Sequence, residues 1–131
     1  MDGLQSPLKS PNDIVLARQL VRRAAQELGL SLVDQTKVVT AASELARNAL
    51  IHGQGGVMTL EVVENSGRRG LRLTFSDHGP GIPDVNLALT DGWTSGNGLG
   101  LGLSGARRLM NEFTIDSQIG RGTQVTVVRW K

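Results

Sequence analysis

The sequence contains no cysteine and no tyrosine, and aromatic residues make up only 3% of its 131 positions. Without cysteine there are no disulfides, thiolate metal sites or cysteine nucleophiles. So few rings exclude a core built on ring stacking. They also argue against a single-strand nucleic-acid binder, which needs aromatic platforms for the bases. Lysine is scarce too, with none between Lys37 and Lys131. Long apolar runs are missing: no segment reaches the length of a membrane span, and residues 1–11 lack the apolar stretch of a secretion signal. The net charge of +2 is too small to demand a nucleic-acid partner. Arg22-Arg23, Arg68-Arg69 and Arg107-Arg108 are short pairs that read as solvated faces with at most one partner contact. Cytoplasmic residence is therefore expected, with neither membrane nor nucleic acid as a partner.

A hydrophobic fraction of 39% and a charged fraction of 20% suit one globular domain, 1–131, with a single core. Residues 1–11 read as a flexible lead-in, with room for a short edge strand near Leu4–Leu8. Asn12-Asp13 can cap a helix to about Leu28, with Ile14, Ala17, Val21, Ala24 and Leu28 at helical spacing and Gly29 as its stop. Ser31-x-x-Asp34 resembles a capping box that opens a second helix to about Ile51, buried along Val38, Ala42, Leu45 and Ala49. Val57–Glu64 and Leu71–Ser76 read as antiparallel strands, the second alternating Leu71, Leu73, Phe75 with polar residues. Asp77 to Gly100 is a long connection without apolar period, the kind of loop that is usually functional. A helix from about Leu101 to Glu112 follows, then strands Phe113–Ile119 and Thr123–Trp130 around the turn Gly120-Arg121-Gly122. This order predicts an α+β two-layer sandwich, with a mixed, mostly antiparallel sheet of four to five strands covered on one face by about three helices.

Three segments carry chemistry. Glu44 and Asn48 are four apart and share a helix face opposite the apolar stripe. Taken alone, they are what a solvated helix surface carries. Their functional reading is an Asn48 oxygen on Mg²⁺, a hard ion, and Glu44 as a general base one turn away. Asp77-x-Gly79-x-Gly81 follows a strand directly. Its carboxylate can accept from an exocyclic amine such as that of adenine, with glycines that allow close backbone approach; the same residues also make an ordinary turn. Gly98-x-Gly100-x-Gly102-x-x-Gly105 runs into a helix, whose free N–H groups and dipole favour phosphate.

Gly100, Gly102 and Gly105 also fit G-x-G-x-x-G, with Asp116 at the distance of a ribose ligand. A dinucleotide fingerprint follows its first strand directly, however, and here a long connection intervenes. A P-loop is excluded because no Gly-Lys-Ser/Thr occurs, so γ-phosphate charge must be met by Mg²⁺, backbone N–H groups and an arginine. His52 and His78 have no third ligand and read as a helix-end and a turn residue. Trp93 is either a partner anchor or a cover over the pocket or core. Ser10, Ser95 and Ser104 lack the companions of a nucleophilic hydrolase.

Ser43-Glu44-Leu45-Ala46-Arg47-Asn48 resembles the N box of the GHKL (Bergerat-fold) ATPases. Asp77-His78-Gly79-Pro80-Gly81 resembles their G1 box, Gly98–Gly105 their G2 box, and Gly120-x-Gly122-Thr123 their last Gly-Thr motif. Within that superfamily, Asp13-Ile14-Val15, Ala17-Arg18-Gln19-Leu20, Val33-Asp34-Gln35, Gly79-Pro80-Gly81-Ile82-Pro83-Asp84 and Arg107-Arg108-Leu109-Met110 are similar to the RsbT-type switch kinases of the stressosome. The resemblance implies a serine/threonine kinase that uses ATP and Mg²⁺, phosphorylates STAS-domain scaffold or antagonist proteins, and then activates an effector such as a PP2C-type phosphatase. By matching position it implies Glu44 as the base and Asn48 as the Mg²⁺ ligand. Asp77 then reads adenine; Gly79, Gly81 and Ile82 line its pocket; and Thr123 supports the adenine contact. Gly98, Leu99, Gly100, Leu101 and Gly102 approach the phosphates. The lid is short, so a protein substrate is expected to complete the site. The proline-bearing lead-in suggests that the family's first strand is weak or absent. An anti-sigma factor kinase and a nucleotide-binding adaptor with little catalysis are the alternatives; a histidine-kinase catalytic domain is disfavoured by the lack of a phosphoacceptor helix.

Overall fold

The computed structural model describes residues 3–89 and 102–131. Strand β1 (Leu4–Leu8) precedes helices α1 (Pro11–Leu28) and α2 (Leu32–Ile51), then strands β2 (Gly56–Asn65) and β3 (Arg68–Asp77). One helical turn, α3 (Val85–Ala88), helix α4 (Gly102–Leu109) and strands β4 (Glu112–Gln118) and β5 (Gly122–Trp130) complete the order. β2–β3 and β4–β5 are hairpins joined through β3 and β5, so the sheet runs β1-β2-β3-β5-β4. Every neighbouring pair is antiparallel. The expected two-layer α+β sandwich is present, without the parallel pairing of a mixed sheet.

The short edge strand expected near Leu4–Leu8 forms, and the expectation that the family's first strand is weak or absent is corrected. Residues 4–8 pair with β2 from Leu4↔Leu60 to Leu8↔Gly56, and Leu8 is fully buried. Pro7 is tolerated because β1 is an edge strand. Ser10, rather than Asn12-Asp13, caps α1: its hydroxyl accepts the Asp13 N–H at 3.3 Å, and Pro11 opens the helix where no N–H is needed. The strand and the cap together use the residues whose proline content had suggested a loose tail. The fourth helix stops at Leu109 instead of near Glu112, because Glu112 already pairs with Val128.

Ser31 caps α2 as its spacing predicts, accepting the Asp34 N–H at 3.1 Å. Val38, Ala42, Leu45 and Ala49 are buried, and so are Val39, Ala41 and Ala46. That is wider than one stripe, because α2 lies on the sheet with α1 against one flank and α4 against the other. The face carrying Glu44 and Asn48 is consequently half-buried rather than openly solvated. Leu45, Met58, Leu71, Leu73, Val21, Val38 and Val127 fill the interior between the layers. Each such side chain contributes about 1.5–3 kcal/mol by leaving water.

Arg129 on β5 ties the helix layer together. Its guanidinium donates to Asp34 Oδ1 at 2.8 Å and to the Leu109 carbonyl at 3.2 Å, clipping the first turn of α2 and the end of α4 to one strand. This fixes the two helices whose other ends reach the site described below.

On the open sheet face, Glu61 and Arg72 are direct cross-strand partners. They form a two-bond pair at 3.1 and 3.0 Å. The hydrogen bond from Arg72 holds the Glu61 carboxyl below its usual range, and its burial opposes this only in part. A lowered folded-state value means stability that is present above the unfolded value and lost as pH falls through the folded one. Arg72 is 42% exposed, so water screening limits the pair to about 0.2–1 kcal/mol. Glu61→Gln should therefore lower the thermal midpoint slightly at neutral pH. In acid, once the parent carboxyl is protonated, the parent and variant curves should coincide; a gap that persists there would assign the loss to packing.

Candidate functional site

The site is built at one end of the sandwich, where the C-terminal turn of α2, the end of β3 and the start of β5 meet. Asp77 is the last residue of β3 and is 8% exposed. Its Oδ1 accepts the Gly79 N–H at 3.0 Å and the Thr123 N–H at 3.2 Å. Two donors on one oxygen set the plane of the carboxylate and leave Oδ2 outside both bonds. Gly53, just past the α2 cap His52, lies against that carboxylate: a Cβ there would run into the carboxyl carbon and Oδ2. The Asn48 carbonyl accepts the His52 N–H at 2.9 Å and the Gly53 N–H at 3.2 Å. The backbone turn that carries Asn48 is thereby seated directly beside Asp77.

Gly79 packs on the Gly53 backbone so closely that a Cβ would stand 2.7 Å from it, so only glycine fits there. The turn beyond is held by the β4–β5 hairpin. The Gly120 N–H donates to the Pro80 carbonyl at 2.9 Å, and the Ile82 N–H to Ser117 Oγ at 2.7 Å. Ser117 Oγ also lies 2.8 Å from Thr123 Oγ1. Asp77, Gly79, Ile82 and Thr123 are thus one hydrogen-bonded unit, with Gly81 at φ +81° in its turn.

Of the other expected residues, Glu44 and Asn48 sit half-buried on α2, and Gly102 opens α4. Gly98, Leu99, Gly100 and Leu101 lie outside the described residues, as does Trp93. His52 caps α2 and His78 is an exposed turn residue, as their contexts suggested. Ser117 and Gly53 were not singled out from the sequence as site residues. Ser117 had a usable signal: it follows Phe113 and Ile115 at the inward-facing positions of an alternating strand, where a third apolar residue would be ordinary. Gly53 had none, because a glycine just past a helix reads as a simple stop.

An open groove of about 750 Å³ between α1 and the β1–β2 edge, lined by Leu20, Ala24, Leu28, Leu60 and Val62, contains none of these residues. The smaller hollow, about 210 Å³, is lined by Asp77 and Thr123 together with Ser76, Asp116 and Gln124. The Ser76, Asp116 and Gln124 side chains belong to the sheet face away from the helices, and Asp77 and Thr123 to the inner one.

A carboxylate fixed at a strand end, glycines that admit a flat group against it, and a helix start facing the same end can hold a purine nucleotide by base and phosphates. Among the described residues no group of three acidic or imidazole side chains could hold a metal ion by itself. A divalent cation would therefore arrive largely with phosphates and water, which suits Mg²⁺ and a single oxygen ligand such as the Asn48 side chain. No helix among the described residues is long and apolar enough to cross a membrane.

Comparison with known proteins agrees with this geometry. The chain is 46% identical to the serine/threonine-protein kinase RsbT of Bacillus subtilis (strain 168) over 118 residues, covering 90% of this chain and 89% of that protein. It is 30% identical to an anti-sigma F factor of Geobacillus kaustophilus (strain HTA426), covering 93% and 86%. Among solved structures, the mycobacterial sensor histidine kinase MprB superposes with a TM-score of 0.58 at 18% identity, covering 97% of each chain. At that identity the likeness speaks for the fold. The family model described as histidine kinase-, DNA gyrase B- and HSP90-like ATPase matches residues 33–131, and the chain belongs to that family.

Proposed function

We propose that this chain is an ATP- and Mg²⁺-dependent protein-serine/threonine kinase of the partner-switching type. It phosphorylates a STAS-domain scaffold or antagonist and then engages an effector, such as a PP2C-type phosphatase, in the cytoplasm. The observation that carries the nucleotide reading is Asp77, held by two backbone N–H groups at the end of β3. The similarity to RsbT along 90% of the chain supports serine or threonine as the acceptor residue.

In this reading the Asp77 carboxylate accepts from the exocyclic amine of adenine, while Gly79, Gly81 and Ile82 form the wall beside the ring. Thr123 supports the base from β5. Gly98, Leu99, Gly100, Leu101 and Gly102 bring backbone N–H groups and the α4 dipole toward the phosphates. Asn48 supplies its side-chain oxygen to Mg²⁺, which neutralises phosphate charge when bound. Glu44, one turn earlier on α2, takes the proton from the acceptor hydroxyl as its oxygen bonds to the γ-phosphorus in line and the bond from that phosphorus to the bridging oxygen of the leaving ADP breaks. Positioning supplies most of the remaining acceleration.

Incubation with γ-labelled ATP, Mg²⁺ and a STAS-domain protein tests this. The expected result is stable label on a serine or threonine of that protein. The 30% identity to an anti-sigma F factor supports a second reading, in which the bound partner is a sigma factor. Retention of a sigma factor without a STAS partner would favour it, and nucleotide binding without any transfer would favour an adaptor.

A further inference from the structure

Ser117 stands where three bonds meet. Its Oγ accepts the Ile82 N–H at 2.7 Å, an obligate donor. It lies 2.8 Å from Thr123 Oγ1, a contact in which either hydroxyl could donate, and 3.5 Å from the Gly122 carbonyl. A hydroxyl has one proton and two lone pairs. If Ser117 accepted from Thr123 as well as from Ile82, its own proton would be left with the Gly122 carbonyl at a distance well beyond a good O–H···O bond. If it donates to Thr123, both short contacts are satisfied. The Thr123 hydroxyl then receives a proton from behind and keeps its own for the pocket.

We infer that Ser117 is a positioning residue for base selection: it makes Thr123 a hydrogen-bond donor toward the pocket, beside the acceptor Asp77. This rests on the nucleotide reading above and adds a residue to it. The pair so formed presents an acceptor, Asp77, and a donor, Thr123, on neighbouring strands joined by the Thr123 N–H bond to Asp77. Adenine offers the complement, a 6-amino donor next to the N1 acceptor. Hypoxanthine and guanine offer the inverse, a 6-oxo acceptor next to an N1–H donor. One bridging water between Thr123 and the base would relay the same polarity. A site built to pair with specific donors and acceptors rejects the inverted edge because its own groups are left unpaired. Without the Ser117 hydroxyl, the Thr123 hydroxyl can rotate to accept, and the preference weakens.

The test uses the full chain titrated calorimetrically with Mg-ADP and with Mg-IDP, whose bases differ only along that edge. The parent is expected to prefer ADP. Ser117→Ala should reduce the ADP-to-IDP preference about tenfold, the loss expected when one net hydrogen-bond contribution is removed. Ser117→Thr, which keeps a hydroxyl, should retain the preference. Ser117→Cys preserves volume with a weak donor and should behave like alanine, so the test survives if the smaller side chain impairs folding. Equal weakening of both nucleotides in Ser117→Ala and Ser117→Cys would reduce Ser117 to loop support and overturn the inference alone. A parent that binds neither nucleotide would overturn the nucleotide reading, and this inference with it.

Discussion

Glu44→Gln is expected to bind ATP as the parent does and to transfer its phosphoryl group about 10²–10⁴-fold more slowly, the range for loss of a positioned general base. The substitution suits the place. Glu44 is half-buried on α2, so an isosteric amide keeps the volume and the helix packing. What it removes is the capacity to take a proton. Phosphoryl transfer depends chiefly on alignment and charge neutralisation, so a proton acceptor affects the chemical step more than binding. The measurement is single-turnover labelling of the STAS acceptor, with ATP affinity determined on the same sample. Labelling at the parental rate would take Glu44 out of the mechanism; loss of ATP affinity in step with the rate would make it a binding residue.

Asp77→Asn should lower ATP affinity about a hundredfold, roughly 2.7 kcal/mol, while leaving the fold nearly as stable as before. The asymmetry follows from how the two carboxylate oxygens are used. Oδ1 accepts N–H groups from Gly79 and Thr123, and an amide oxygen can keep both. The amide nitrogen then falls where Oδ2 lies, against Gly53. An acceptor for the adenine amine becomes a donor facing a donor, and both are left unpaired in a confined space. Asp77→Ala would be a poorer experiment, because it leaves two buried N–H groups without an acceptor and mixes folding with binding. Affinity from calorimetry and stability from thermal unfolding separate the two effects. Unchanged ATP affinity in Asp77→Asn would remove base recognition from Asp77.

The elements were legible where one local rule decided them. Ser31 with Asp34, the period of Val38 to Ala49, and the alternation of Leu71, Leu73 and Phe75 each specify their structure without help from distant residues. Asp77 was legible for the same reason, since its glycines and its place after an apolar strand are features of neighbouring sequence. What escaped the sequence depends on contacts across the chain. The strength and register of the edge strand at residues 4–8 come from a ladder with β2, about fifty residues later, and from burial of Leu8. The partial burial of Glu44 and Asn48 is set by tertiary packing, which the helical period of α2 alone does not encode. Gly53 is a site residue only because β3 ends against it. Ser117 lay between these cases: its inward position was readable, but its partners Ile82 and Thr123 were not.

The central claim is that the turn after α2, the end of β3 and the start of α4 form one Mg-ATP site. Titration of the purified full chain with ATP, in Mg²⁺ and again in excess chelator, tests it most directly. One ATP per chain is expected, bound more tightly with Mg²⁺ than without. No binding, or binding indifferent to Mg²⁺, would contradict it.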